Sequence, residues 1–276
     1  MSVLPRCDSS LTIATFDVSL VSKTSECDLT RLKFIDAYGL VGTACALRAT
    51  ENAILSLPTA TKTRSHLSTM GFRDFIADMG NATGLPAKPT ADNPDVVVPL
   101  RPAKDSGGAQ VLSNLLWEQL TDHVAPQVLN ALSEGVWEMV GNVLEHSGTD
   151  ALIMGQVYRG SRGGLPPDHD DRVQVVIGDT GRGIRESFLA TGAYAPADDI
   201  DAIEIALEYL VTSVVDDPGR GQGLFTTMEQ VLEMQGRMVI RSGSARVSIT
   251  EAGRERDLVP YLPGVIVALS LPLYPG

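Results

Sequence analysis

At 276 residues the chain can form one large domain or two modest ones and can bury a sizeable core. Its 34 acidic and 22 basic residues leave a formal net charge of −12, which argues against wrapping a nucleic-acid backbone and favours basic partners. No apolar run approaches the length of a membrane span, and the start lacks the charged-then-apolar order of a signal peptide. Cys7, Cys27 and Cys45 show no metal-ligand spacing, so free thiols in a reducing cytosol are expected, with Cys45 in the core.

In chain order, residues 10–16 and 29–35 read as strands, and Asp36 follows as a helix cap. From Ala37 the apolar period becomes helical, through Leu40, Val41, Ala44 and Leu47 to about Asn52. Residues 53–57 give a third strand, stopped by Pro58, and 63–79 a second helix burying Leu67, Met70, Phe72, Phe75 and Ile76. Strands alternating with helices imply parallel pairing through right-handed crossovers. The run DLTRLKFIDAYGLVGTACALRA, then AILSL and TRSHLSTMGFRDFI, resembles a STAS-like domain of the anti-sigma-factor-antagonist type, abbreviated at its start. The family's phosphorylated serine is Ala37 here; without an oxygen it cannot accept a phosphoryl group, so that switch is not carried over.

The stretch 85–106 is rich in Pro, Lys and Asp around one apolar run at 96–100. It reads as a linker containing a strand, dividing the chain into 1–88, a linker at 89–106 and a second domain at 107–276. Residues 110–123 read as a helix. The helix at 131–148, with Ser133 as a possible cap, carries two patterns. Val136, Trp137, Val140, Val143 and Leu144 make an apolar face, and Glu134, Glu138, Asn142 and His146 a polar stripe. A carboxylate and a carboxamide one turn apart can hold a water and a hard cation together, because Mg²⁺ takes oxygen ligands. A plain solvated face would show the same stripe.

Strands at 151–158 and 171–178 follow, then an amphipathic helical pattern at 197–215. A glycine-rich loop opens a helix that Gly236 stops, and three closing strands lie at 237–241, 245–250 and 265–271. The last, almost wholly apolar, should be central or sandwiched. The layout predicts an α+β fold: a sandwich of helices on one face of a mixed sheet, plus a small N-terminal α/β domain.

Two glycine motifs carry chemistry. In Asp179-Thr-Gly-Arg-Gly-Ile184 an aspartate ends a strand, where its carboxylate can accept from an exocyclic amine such as adenine's. The missing side chains at Gly181 and Gly183 should let a flat ring approach the backbone. Gly219-Arg-Gly-Gln-Gly-Leu224 runs into a helix whose free N–H groups and dipole suit phosphate, and Arg220 could add a charge-assisted contact. Singly each motif is weak. No GxxxxGK[ST] is present, and the spacing does not suit a dinucleotide fold.

Glu138-xxx-Asn142, then DxGxGI, then GxGxGL, each about forty residues after the last, together resemble the GHKL superfamily of ATP-binding domains over roughly residues 111–273. The resemblance implies a two-layer α/β sandwich that binds ATP with Mg²⁺. It implies Asn142 as Mg²⁺ ligand and Glu138 as general base. Asp179 would read adenine, with Gly183 behind the ring and Gly181 and Ile184 beside it; Gly221, Gly223 and Leu224 would meet the phosphates, with Arg220 and His146 as neighbours, under a lid at 185–218. Val265 replaces a threonine often found after the last-strand glycine, and the lid is unusually acidic.

His123, in LTDHVAPQ, superficially resembles a histidine-kinase acceptor but lacks a preceding dimerisation hairpin. The expected function is therefore a cytoplasmic Mg-ATP-dependent regulator, an ATPase or Ser/Thr kinase of the anti-sigma-factor type acting on an unidentified partner protein. The alternatives are a non-catalytic ATP switch and, less favoured, a histidine-kinase fragment. No nucleic-acid or membrane partner is expected, and a homodimer is left open.

Overall fold

The computed structural model describes residues 2–80, 84–87, 95–159, 171–208 and 223–275. Its centre is a five-stranded sheet in the order β10-β11-β9-β8-β7, built from β7 (Val96–Ala103), β8 (Ala151–Tyr158), β9 (Arg172–Gly178), β10 (Arg237–Thr250) and β11 (Gly253–Pro272). Every pairing in it is antiparallel, so the α+β class holds and the expected mixed sheet does not. The strand expected inside the linker is β7, an edge strand of this sheet.

Alternation along the strands divides the sheet into two apolar faces. Ile153, Val175, Ile177, Met238, Ile240, Val267 and Leu269 face one way, under α5 (Ser106–Leu120), α6 (Pro126–Asn142) and α9 (Gly223–Glu233). Leu152, Met154, Val176, Val239, Ile266 and Ala268 face the other, under the N-terminal part. Both faces are dry. The molecule is thus three-layered around the sheet, with α2 (Ala37–Arg48) across β8, β9 and β11 where helices on one face alone were expected.

Small strands frame α2: β1 (Val3–Pro5) with β3 (Leu20–Ser22), β2 (Ser10–Leu11) with β5 (Phe34–Ile35), and β4 (Glu26–Asp28) with β6 (Ile54–Ser56). The last two pairs are parallel, but they are separate two-stranded sheets, and β5 and β6, the strands that α2 joins, do not pair with each other, contrary to what the alternation predicts. The strands expected over 10–16 and 29–35 are shorter than predicted. After Leu11 the chain turns, with Thr15 Oγ1 accepting from Thr12 N and donating to Ser10 O, and enters α1 (Phe16–Ser19). The expected helix at 63–79 is two helices, α3 (Thr61–Thr69) and α4 (Phe72–Asp78), broken at Gly71, whose φ of +84° only glycine adopts easily. Asp36 caps α2 as read from the sequence, accepting from Gly39 N at 2.7 Å and Ile13 N at 3.1 Å.

Polar contacts fasten the N-terminal layer to the sheet. Arg241 on β10, 1% exposed, donates to Asp17 Oδ1 at 2.8 Å, and Arg246 reaches Asp17 Oδ2 at 3.0 Å. Ala37 N donates to Tyr158 Oη at 2.8 Å, and Tyr158 donates to Gln156 Oε1 at 3.0 Å. Truncating Asp17 alone would leave Arg241 charged and buried, the costly way to break such a pair.

The helix expected at 131–148 begins earlier, at Pro126 in its first turn, so Ser133 is interior rather than a cap; its hydroxyl is buried without a partner. After Asn142 the helix widens into a π turn, Val143–Ser147, ended by Gly148 at φ +73°. The closing strands expected at 237–241 and 245–250 are one long strand, β10, with an irregularity at Gly243. Strand β11 lies centrally between β10 and β9. Helix α9 ends at Glu233 and the positive φ falls on Gln235, not Gly236; Gly236 is there because a side chain would strike Leu271 Cδ2 at 2.5 Å. All three cysteines are free and buried. No helix among the described residues is long and apolar enough to cross a membrane.

Candidate functional site

Between α6, the ends of β9 and β11, and the start of α9 lies a cavity of about 800 Å³. Glu138, Asn142, His146, Asp179, Gly183, Ile184, Gly223 and Leu224 all line it, so residues from three separate sequence boxes share one wall. Arg220 and Gly221 lie outside the described residues, as do 209–218 of the expected lid. The described part of that stretch forms two helices, α7 (Gly183–Thr191) and α8 (Asp199–Ala206), the second capped by Asp198.

Asp179 stands at the end of β9, 2% exposed as a residue yet on the cavity wall. Its Oδ1 accepts from Gly181 N at 2.7 Å and its Oδ2 from Val265 N at 3.3 Å. Burial raises its pKa from 3.8 to about 6, against the pull of those two N–H groups. Gly264 is what lets the last strand pass so close: its φ is +86°, and a side chain there would collide with the Asp179 carbonyl. Behind the strand, a side chain at Gly178 would meet Val41 Cγ1 at 2.8 Å and Cys45 Sγ at 2.9 Å, so α2 lies flush against the strand end that carries Asp179. Burial, with the Asp179 charge adding, pushes the Cys45 thiol up to about 12, which leaves it an inert core group.

The two glycines expected to admit a flat ring differ in what they do. At Gly181 a side chain would run into Ser147, so the space is already filled by the π turn rather than held open for a ligand. Gly183, at φ +79°, faces Ser242 Oγ, which accepts from Ile184 N at 3.0 Å and fixes the start of α7.

On α6 the π turn changes which residues face the cavity. Five residues per backbone bond replace four, and Glu145, His146 and Ser147 all come to line the wall. His146 Nε2 lies 3.9 Å from Glu145 Oε2, the carboxylate of its chain neighbour. The Glu138 carboxylate sits against Gly223, where any side chain would strike it, placing a general-base candidate at the opening of the 11-residue helix α9. Glu134, the first of the stripe, accepts from Gln230 Nε2 of α9 at 2.5 Å.

Trp137 was expected on the apolar face and is instead 38% exposed on the cavity wall. Sequence reasoning also missed Val265 N, which donates to the Asp179 carboxylate, and Ser242 Oγ, which accepts from Ile184 N; strand pairing across the sheet brings both there, and no local motif announces it. His123 is exposed in the turn between α5 and α6.

Asn142 and Glu138, a carboxamide and a carboxylate one turn apart on the wall, are hard oxygen donors that suit Mg²⁺. Among the described residues no group of three or more His, Cys, Asp or Glu is placed to hold a metal, so an ion here would draw on phosphate and water for the rest of its shell. No protein-family model matches the chain, and no curated protein is significantly similar to it.

Proposed function

We propose that this chain is a Mg-ATP-binding regulatory protein that transfers the terminal phosphoryl group to water or to a Ser/Thr hydroxyl of a partner protein. The observation that supports it best is the shared cavity. A buried carboxylate suited to an exocyclic amine, the start of a helix suited to phosphate, and the Glu138 and Asn142 side chains all line it.

In this reading Asp179 accepts from the adenine amine while Val265 N and Gly181 N hold its carboxylate in place. The first N–H groups of α9, beginning at Gly223, point at the phosphates. Asn142 would hold Mg²⁺, which would offset charge developing on the transferring group. Glu138 takes the proton from the attacking hydroxyl; that oxygen bonds to the terminal phosphorus, the bond to the bridging oxygen breaks, and ADP leaves. The cavity wall carries Glu134, Glu138, Glu145 and Asp179 but no Lys or Arg among its described residues, which makes binding strongly dependent on the metal.

The test is Mg-ATP turnover in the wild type and in Glu138→Ala. The expected result is loss of turnover by about 10³-fold with nucleotide affinity retained. Turnover unchanged in the variant would remove Glu138 from the chemistry. A wild type that binds Mg-ATP without hydrolysis or transfer would leave the same site as a non-catalytic switch, in which nucleotide alters a surface that a partner reads.

A further inference from the structure

The outer wall of the cavity has features a nucleotide does not call for. Trp137 is 38% exposed on a helix whose other large apolar residues are buried. One turn on, at Gly141, a side chain would meet nothing within 4 Å, so the surface beside the indole is open. Glu134 lies one turn before Trp137 and Glu145 one turn beyond Gly141, both on the same wall. The Glu134 carboxylate is held by the neutral amide of Gln230, which positions it without cancelling its charge.

A part-exposed indole with carboxylates on the same wall is suited to attract a cation. The ring quadrupole attracts an ammonium or guanidinium, the carboxylates add to that field, and anions are repelled. The chain's net charge of −12 draws in the same kind of partner from a distance.

We propose that the groove over Trp137 and Gly141 docks a lysine- or arginine-bearing segment of the partner protein. The assignment rests on the nucleotide reading for its purpose, because Glu138 beside the groove is where that segment's hydroxyl would be presented. The groove itself stands on the α6 surface. Bound there, the basic side chain lies on the indole, and Glu134 fixes the direction in which the segment crosses the cavity mouth.

The probe is a fluorescein-labelled serine octapeptide carrying two arginines, compared by anisotropy with the same peptide carrying two glutamates, on the full chain with and without Mg-AMP-PNP. A separate calorimetric titration reads Mg-AMP-PNP binding, so failure of the nucleotide site and failure of the groove are seen separately. The arginine peptide should bind saturably and the glutamate peptide should not. Affinity should drop about tenfold in Trp137→Ala and about threefold in Glu134→Gln, with melting temperatures unchanged. Glu251→Gln, a charge-matched change in the exposed turn between β10 and β11, should leave it intact. Equal binding of the two peptides, no binding of either, or an equal loss in Glu134→Gln and Glu251→Gln would overturn the proposal.

Discussion

Asp36 and Asp179 begin from the same physics and end in different roles. Both are buried aspartates at the end of a strand, both accept two backbone N–H groups, and burial raises both from 3.8 to about 6. Asp36 is sealed beneath α2, where its oxygens satisfy the first turn of a helix and the backbone of Ile13. Asp179 holds two strand ends together and still borders an 800 Å³ cavity. A buried, pKa-shifted carboxylate is therefore no marker of function by itself; the open space beside it makes the difference.

That contrast can be broken by substitution. Asp179→Asn should lower nucleotide affinity by about 100-fold, as expected for losing a charged hydrogen-bond acceptor, with a smaller loss of stability than Asp36→Ala because one of its two acceptor oxygens remains. Asp36→Ala should do the reverse, costing about 2 kcal/mol in denaturant unfolding with nucleotide affinity unchanged. If the two variants showed the same profile, the distinction between architecture and site would fail.

A smaller effect sharpens it. Adenosine, which carries no titrating phosphate, should bind about fourfold more weakly at pH 5.5 than at pH 7.5, as Asp179 takes up a proton near pH 6. The stability contribution runs the other way. Because each folded pKa lies above the unfolded value, the native state holds the extra proton. The stability from both aspartates is full below about pH 4 and is lost as pH rises through about 6.

Strands β9 and β11 were legible because both faces of the sheet are dry, so RVQVVIG and VIVALSL read as continuous apolar runs. The Asp36 cap and the glycine-opened α9 follow from local rules that act within one turn. The antiparallel order and the three-layer stacking were hidden, since they depend on which strand edges meet between segments far apart in the chain, as where Leu269 pairs with Val175. At the site, the residue types and their order were legible. The π turn was not, because nothing in VLEHS marks a one-residue change in helical period, and that turn decides which side chains face the cavity. The exposure of Trp137 was hidden for a related reason: apolar periodicity cannot separate a core indole from one bordering a cavity.

The central claim is that three sequence boxes close into one Mg-dependent nucleotide site. Calorimetric titration of the wild type with AMP-PNP, with Mg²⁺ and then with EDTA, tests it most directly. The prediction is one-to-one binding that weakens at least about tenfold without the metal. No saturable heat with Mg²⁺, or the same isotherm with EDTA, would contradict it.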